Sequence, residues 1–246
     1  MRFIKEVLRF IYPESIYCIC CGSIIDASRS YSLCDNCIEK IKWIGERTCE
    51  KCGKILQQDY SHEFCEDCRN AVHYFDKGYT CCQYGLYERA LIMDLEYGDK
   101  SYLGNILGDI MADRIIMEEK TWDLILPVPI HKERMRSREF NQACVIACRV
   151  GKRLEVKVDE GILVRVKKTL PMKGLGVPER KVNLNQAFKV REKAGSSLKG
   201  KNILLIDDVY TTGSTSDACA KVLKEAGARE VDVLTFAAGA NMPGTK

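Results

Sequence analysis

Eight cysteines stand at two identical spacings. Cys18, Cys21, Cys34 and Cys37 form one C-x2-C-x12-C-x2-C set, and Cys49, Cys52, Cys65 and Cys68 repeat it with a constant offset of 31 residues. A CxxC knuckle puts two thiolates on one tight turn, and a second knuckle delivered by a short hairpin completes a tetrahedral four-sulfur site for zinc. Gly22 and Gly53 each follow the second cysteine of a knuckle, where the turn calls for positive φ. Reduced cysteines buried as small hydrophobes would not generate a doubled period. The spacing therefore predicts two structural Zn2+ ions in closed four-thiolate sites, which leave no open position for chemistry. We pair the ligands sequentially; a cross-braced arrangement joining Cys18/Cys21 to Cys49/Cys52 uses the same residues, and spacing alone does not choose. His62 is expected at the surface, and Cys144 and Cys148, four apart on a helix, are expected to pack against its core.

With 246 residues, 46% of them hydrophobic, the chain can bury one large core or two smaller ones. No apolar stretch is long enough to span a bilayer, so no membrane insertion is expected. The segment from Met1 to Ile11 is charged every few residues and lacks the apolar run of a secretory signal, which points to a cytoplasmic location. Fourteen cysteines without an export signal favour metal over disulfides. The net charge of +4 does not announce a nucleic-acid binder, and residues 1–70 carry 10 Lys and Arg against 11 Asp and Glu, so the cysteine-rich part has no general attraction for DNA.

The run Ile203-Leu-Leu-Ile-Asp-Asp-Val-Tyr-Thr-Thr-Gly-Ser-Thr215 carries the clearest chemistry. Four consecutive apolar residues read as a strand buried on both faces, with Asp207 and Asp208 at the carboxyl edge of a parallel sheet. Thr211, Thr212, Gly213, Ser214 and Thr215 then supply hydroxyls, a permissive glycine and backbone N–H groups at the start of a helix running to Ala226, a favourable place for a phosphate. The two acids suit vicinal ribose hydroxyls and the loop suits a 5′-phosphate. Together they resemble the phosphoribosyl pyrophosphate (PRPP) motif of type I phosphoribosyltransferases, which implies Asp207 and Asp208 as the catalytic pair.

Beyond about residue 72, helix patterns at Leu86–Leu95, Tyr102–Met117 and Asn141–Leu154 alternate with strand patterns at Leu124–Val128, Ile162–Val166, Ile203–Ile206 and Val231–Phe236. The fold class expected is α/β: a type I phosphoribosyltransferase-like parallel sheet flanked by helices over residues 71–246, preceded by a small double zinc-ribbon module over residues 1–70. Ligands then bind at the carboxyl edge of the sheet. Two basic stretches, 131–153 and 165–181, each carry a net +5. The first follows the loop Pro127-Val128-Pro129-Ile130-His131 and would bring Val128, Pro129, His131, Arg134 and Arg138 to a pyrophosphate. The second contains Lys173-Gly-Leu-Gly-Val-Pro178, whose glycines suit a mobile lid.

The cysteine pairs, Tyr84-Gly-Leu-Tyr-Glu-Arg-Ala-Leu-Ile, Pro127-Val-Pro-Ile-His, Phe140-Asn-Gln-Ala, Arg180-Lys-Val-Asn-Leu-Asn-Gln-Ala-Phe and Asp207-Asp-Val-Tyr-Thr-Thr-Gly-Ser-Thr occur in the order seen in the ComF family, also represented by GntX proteins. The chain resembles that family from about residue 8 to its last strand. The resemblance implies PRPP or a ribose 5-phosphate compound bound with Mg2+, and a role in DNA uptake with single-stranded DNA and uptake proteins as partners. It also shows departures: Glu96 stands where a pyrophosphate-facing lysine is usual, Glu139 replaces a glycine, and Met172 replaces a common glutamine. The 6-oxopurine salvage enzymes carry an aspartate base where Thr211 stands, which argues against hypoxanthine or guanine. A PRPP-binding protein of the ComF kind ranks first, a non-catalytic PRPP sensor or nucleic-acid adaptor second, and a nucleobase or amido phosphoribosyltransferase third.

Overall fold

The computed structural model describes residues 16–26, 28–97, 100–131, 133, 135, 140–167, 184 and 186–241. In chain order its named elements are α1 (Asp35–Lys40) and α2 (Glu66–Asn70) in the cysteine-rich part, then β1 (Gly78–Gln83), α3 (Leu86–Tyr97), α4 (Tyr102–Ile116) and β2 (Leu124–Pro127). These are followed by α5 (Gln142–Leu154), β3 (Leu163–Arg165), β4 (Phe188–Val190), β5 (Asn202–Tyr210), α6 (Ser214–Glu225) and β6 (Glu230–Ala238). Four strands form a parallel sheet in the order β1-β6-β5-β2. Among the described residues no helix is long and apolar enough to cross a membrane.

Alternation along β5 divides the apolar residues between two cores. Leu204 and Ile206 pack with Leu107, Met111, Ile146 and Val150 of α4 and α5, while Ile203 and Leu205 pack with Cys219, Ala220 and Leu223 of α6. Burial on both faces is why Ile203–Ile206 needs no polar residue. The ribbons join different cores. Cys18, Leu33, Cys37 and Ile41 belong to the α4/α5 side, and Cys49, Cys52, Leu56 and Cys65 to the α6 side. The chain between them runs along the outer edge of β1: Ile44 N donates to Cys81 O and Gln83 N to Lys42 O, both at 2.8 Å. That pairing covers a sheet edge that would otherwise expose unpaired backbone groups.

Two expectations change. Ile162–Val166 does not enter the parallel sheet; its central residues form β3, which pairs antiparallel with β4. One buried and two half-buried residues suit a short strand with a wet face. The strand Ile203–Ile206 extends through Asp207 and Asp208 to Tyr210, because β6 continues to pair with it as far as Ala238. Two strands had no clear signal: β1 reads Gly-Tyr-Thr-Cys-Cys-Gln, without an aliphatic run, and β4 is only three residues long.

The repeat supplies its own controlled comparison. Gly22 and Gly53 have φ of +73° and +74°, as the knuckles require. A Cβ on Gly22 would meet nothing within 4 Å, whereas one on Gly53 would lie 2.7 Å from Gly78 O. Gly22→Ala is expected to cost about 1 kcal/mol, for the left-handed backbone alone. Gly53→Ala should cost about 2–3 kcal/mol more, through a forced backbone shift. Urea unfolding of the two zinc-loaded variants measures the difference, and equal losses would mean the Gly53 contact is soft.

Candidate functional site

Each set of four cysteines gathers around one point, with all four Sγ atoms of a set within 4.8 Å of one another. Cys21 and Cys34 sulfurs stand 3.7 Å apart and Cys52 and Cys65 sulfurs 3.6 Å. Tetrahedral bonds of about 2.3 Å put sulfurs about 3.8 Å apart, so the donor sets fit zinc. The grouping is sequential, not cross-braced. Both knuckles close with the same bonds: Gly22 N to Cys18 O and Gly53 N to Cys49 O, each 2.8 Å. Equivalent N–H···S contacts run from Cys34 to Cys18 Sγ and from Cys65 to Cys49 Sγ. His62 is exposed and outside the clusters, edge-on to Tyr60. Cys148 is exposed rather than packed, and Cys144 is half-buried with its thiol donating to Glu160 Oε2 at 2.8 Å.

Asp207 and Asp208 lie where β5 outruns its neighbour. β2 ends in register with Ile206, so beyond that residue β5 has β6 on one side and, among the described residues, no strand on the other. Asp208 N donates to Asp207 Oδ1 and Val209 N to Asp208 Oδ1, at 3.0 and 2.8 Å. Desolvation, and then the adjacent Asp208 charge, push the Asp207 carboxyl well above the usual carboxylate range; Arg165 on β3 pulls the other way. Cys219 of α6 lies on the same side and is itself pushed up by burial and by Asp207. Tyr84 joins the site from the end of β1. Burial raises its phenol, and while Arg89 opposes this, the Glu96 and Asp208 carboxylates each add to it.

The loop after β5 is short. Gly213 adopts φ +77° and starts α6, Thr212 Oγ1 and Ser214 Oγ stand 3.0 Å apart, and Asp217 N donates to Gly213 O at 2.7 Å. Ser214 is buried, Thr212 and Thr215 are half-buried and Thr211 is exposed. A Cβ on Gly213 would lie 2.4 Å from Tyr210 Oη, so any other residue would strain the left-handed backbone and force the Tyr210 phenol to move. Val128 continues from β2, its N–H donating to Ile206 O at 2.8 Å, so it and half-buried Pro129 leave the sheet beside the carboxylates. His131 is half-buried and its Nδ1 accepts from Glu133 N at 3.3 Å. Arg134, Arg138 and Glu139 lie outside the described residues, as does Lys173–Pro178 with Met172. A groove of about 970 Å³ lies not over the carboxylates but between α6 and β4, lined by Tyr74, Phe188, Asp217 and Lys221 among others.

Residues with no sequence signal complete the surroundings. Lys54 of the second ribbon is buried, pairs with Asp67 at 2.5 Å and sits 5.6 Å from the Tyr210 ring centre. His73 likewise belongs to no motif spacing, while Tyr84 and Tyr210 lie inside family motifs that assign them no role of their own. Only their position next to a ribbon end or a strand end could have drawn notice.

A double zinc ribbon domain matches residues 7–69, and a phosphoribosyl transferase domain matches residues 141–244. The chain is 32% identical over 111 residues to Competence protein F of Haemophilus influenzae, covering 45% of this chain and 48% of that protein. It is 28% identical over 148 residues to DNA utilization protein YhgH of Escherichia coli K12, covering 58% and 63%. It is also 33% identical over 97 residues to the ribose-phosphate pyrophosphokinase of Pyrococcus abyssi, covering 37% of this chain and 34% of that one. The matched region thus spans about half to two thirds of the length of the first two relatives.

The raised Asp207 carboxyl makes a signed expectation. It holds its proton more tightly folded than unfolded, so stability falls as pH rises from the ordinary carboxylate range through the folded value. Asp207→Asn removes that loss and should raise Tm at pH 7, by about 2–4 °C for each kcal/mol relieved. The advantage should vanish at a pH below the ordinary aspartate range. A variant no more stable than wild type at pH 7 would show that Asp207 is already compensated.

Proposed function

We propose that this chain, which joins a double zinc ribbon to a phosphoribosyl transferase domain as the ComF family does, binds PRPP or another 5-phosphorylated ribose together with Mg2+. One observation carries the reading: two adjacent carboxylates at an open carboxyl edge lead within five residues into a left-handed glycine at a helix amino terminus. Asp207 and Asp208 would accept from the ribose hydroxyls or hold Mg2+, a hard cation that favours carboxylate oxygens and keeps several waters. Either partner would relieve the like-charge pressure on Asp207. Thr211 to Thr215 would receive the phosphate through backbone N–H and hydroxyl groups. Val128, Pro129 and His131, with Arg134 and Arg138, would face the pyrophosphate. Residues 1–70 serve as the ribbon module and 71–246 as the binding domain.

The relatives' names favour a role in DNA uptake or utilisation, in which single-stranded DNA and uptake proteins are the partners. None of the fourteen cysteines is joined in a disulfide, which suits a reducing cytoplasm. A transferase would displace pyrophosphate at the anomeric carbon by positioning and charge neutralisation, with no covalent nucleophile. A sensor needs only the binding half. Glu96, standing where a pyrophosphate-facing lysine is usual in the family, favours the sensor, because a carboxylate facing the leaving group would repel it.

Ribose 5-phosphate with Mg2+ is expected to stabilise the protein thermally. At about 100-fold over Kd the gain is about 2.7 kcal/mol, and Asp208→Ala should abolish it. Equal shifts in wild type and variant would place the site elsewhere.

Glu96→Lys separates the two readings. Replacing repulsion by attraction should tighten PRPP binding about tenfold, and a transferase should also release pyrophosphate faster. A gain in affinity without turnover identifies a sensor. No change in either means that Glu96 does not face the pyrophosphate.

A further inference from the structure

His73 leaves the second ribbon and is buried, with its Nδ1 donating to Asp217 Oδ2 at 2.6 Å. The other oxygen of that carboxylate accepts from Tyr74 N at 2.9 Å. Asp217 is tied to the phosphate loop at its own backbone, where its N–H donates to Gly213 O. One residue of α6 thus links the chain at 73–74 to the turn at 213. The link is also steric: a Cβ on Gly213 would lie 3.1 Å from His73 Cε1 and 2.4 Å from Tyr210 Oη, so imidazole and phenol form a floor directly under the loop.

Two atoms of that floor, His73 Nε2 and Tyr210 Oη, are buried without a hydrogen-bond partner. An unpartnered buried polar group costs about 1–3 kcal/mol, so neither position is filled for stability. Packing alone would be served by phenylalanine at both, since the His73 ring stacks on Phe75 at 4.8 Å and Tyr210 meets Phe75 edge-on at 6.0 Å. The one bond that the imidazole makes and a phenyl ring cannot is the bond to Asp217.

We propose that His73 is a positioning residue for the Thr211–Thr215 loop, holding Asp217, and through it Gly213, in the conformation that receives a ribose phosphate. The ligand half of this statement rests on the proposed function; the loop half does not. The same layer continues into the second ribbon through Lys54 over the Tyr210 ring, so His73 stands where ribbon and loop meet.

The test uses the full zinc-loaded chain and two substitutions with opposite defects. His73→Phe keeps a ring on Phe75 and removes the orphaned nitrogen but loses the Asp217 bond. His73→Asn places its side-chain N–H close to where Nδ1 stands and keeps that bond, but loses the ring. We expect His73→Phe, which trades the orphaned Nε2 for an unpaired Asp217 Oδ2, to melt close to the wild-type temperature, yet to bind ribose 5-phosphate with Mg2+ about tenfold more weakly and to exchange amide hydrogens over 211–217 about tenfold faster, the worth of one charge-assisted hydrogen bond. His73→Asn should melt lower but bind and exchange within about threefold of wild type. Stability and binding then rank the variants in opposite orders. A common order would reduce His73 to packing, and wild-type binding and exchange in His73→Phe would overturn the proposal outright. If wild-type protein binds no ribose 5-phosphate, the proposed ligand is wrong, while loop exchange in the two variants still decides the role of His73.

Discussion

Where the second knuckle meets β1, two backbones touch with no side chain between them. A Cβ on Gly78 would fall 2.8 Å from Cys52 O, just as one on Gly53 would collide with Gly78, and Gly78 N donates to Lys51 O at 2.7 Å. Much else hangs on this seam. Lys51 Nζ donates to Asp76 O at 3.0 Å, and Asp76 Oδ2 accepts from Val231 N at 2.7 Å, so the ribbon sets the path of the chain as it enters the sheet. Glu66 N donates to Asn241 Oδ1 at 3.1 Å, which secures the chain after β6 as well. Zinc binding energy in such a site is folding energy, and here it also aligns an edge strand and the segment that carries His73.

The two ribbons share a sequence pattern but not an environment. The second has Cys49, Cys52 and Cys65 buried in the α6 core, on the side of the Thr211–Thr215 loop. The first keeps Cys21 exposed and is fastened by polar contacts: Tyr31 Oη donates to Asp113 Oδ2 at 2.8 Å, and Lys42 N to Glu88 Oε1 at 3.2 Å. Asp109, held bidentately by Arg149 at 2.7 Å, braces α4 on α5 beneath it. One repeat is thus a wall of the candidate site, and the other caps the helices on the far face of the sheet. Identical ligand sets ensure identical knuckles; what surrounds them is decided by the outward-facing residues, which the repeat leaves free to differ.

The site stores electrostatic tension at the sheet edge. Two adjacent carboxylates cannot both be comfortable as partly desolvated anions, and Asp207 responds by holding its proton. Arg165 relieves some of this at Asp207, while Glu96 and Asp208 both act on the nearby Tyr84 phenol. Such an edge would suit hydroxyl donors or a divalent cation. The basic residues that would suit a pyrophosphate fall in the sequence at 131–153 and 165–181, apart from both the carboxylates and the turn at 211–215.

The parts legible in the sequence are those governed by local rules. Thiolate geometry forces the cysteine spacing, a doubly buried strand forces Ile203–Ile206, and the positive φ of knuckle and loop demands Gly22, Gly53 and Gly213. Helices α3 to α6 were legible to within about two residues because each is long and periodic. β1 and the antiparallel placement of β3 were not, because short strands take their partners from elsewhere in the chain. The sequential zinc pairing, the assignment of the ribbons to opposite faces, and the meeting of Lys54, His73 and Asp217 under Gly213 are all long-range. The residues at 73 and 217 lie 144 positions apart, and no spacing rule couples them. The sequence by itself determined which chemistry the chain carries, since ligand type and backbone conformation are written residue by residue. Only the tertiary structure decided which ribbon supports the Thr211–Thr215 loop, since that depends on how two backbones fit together.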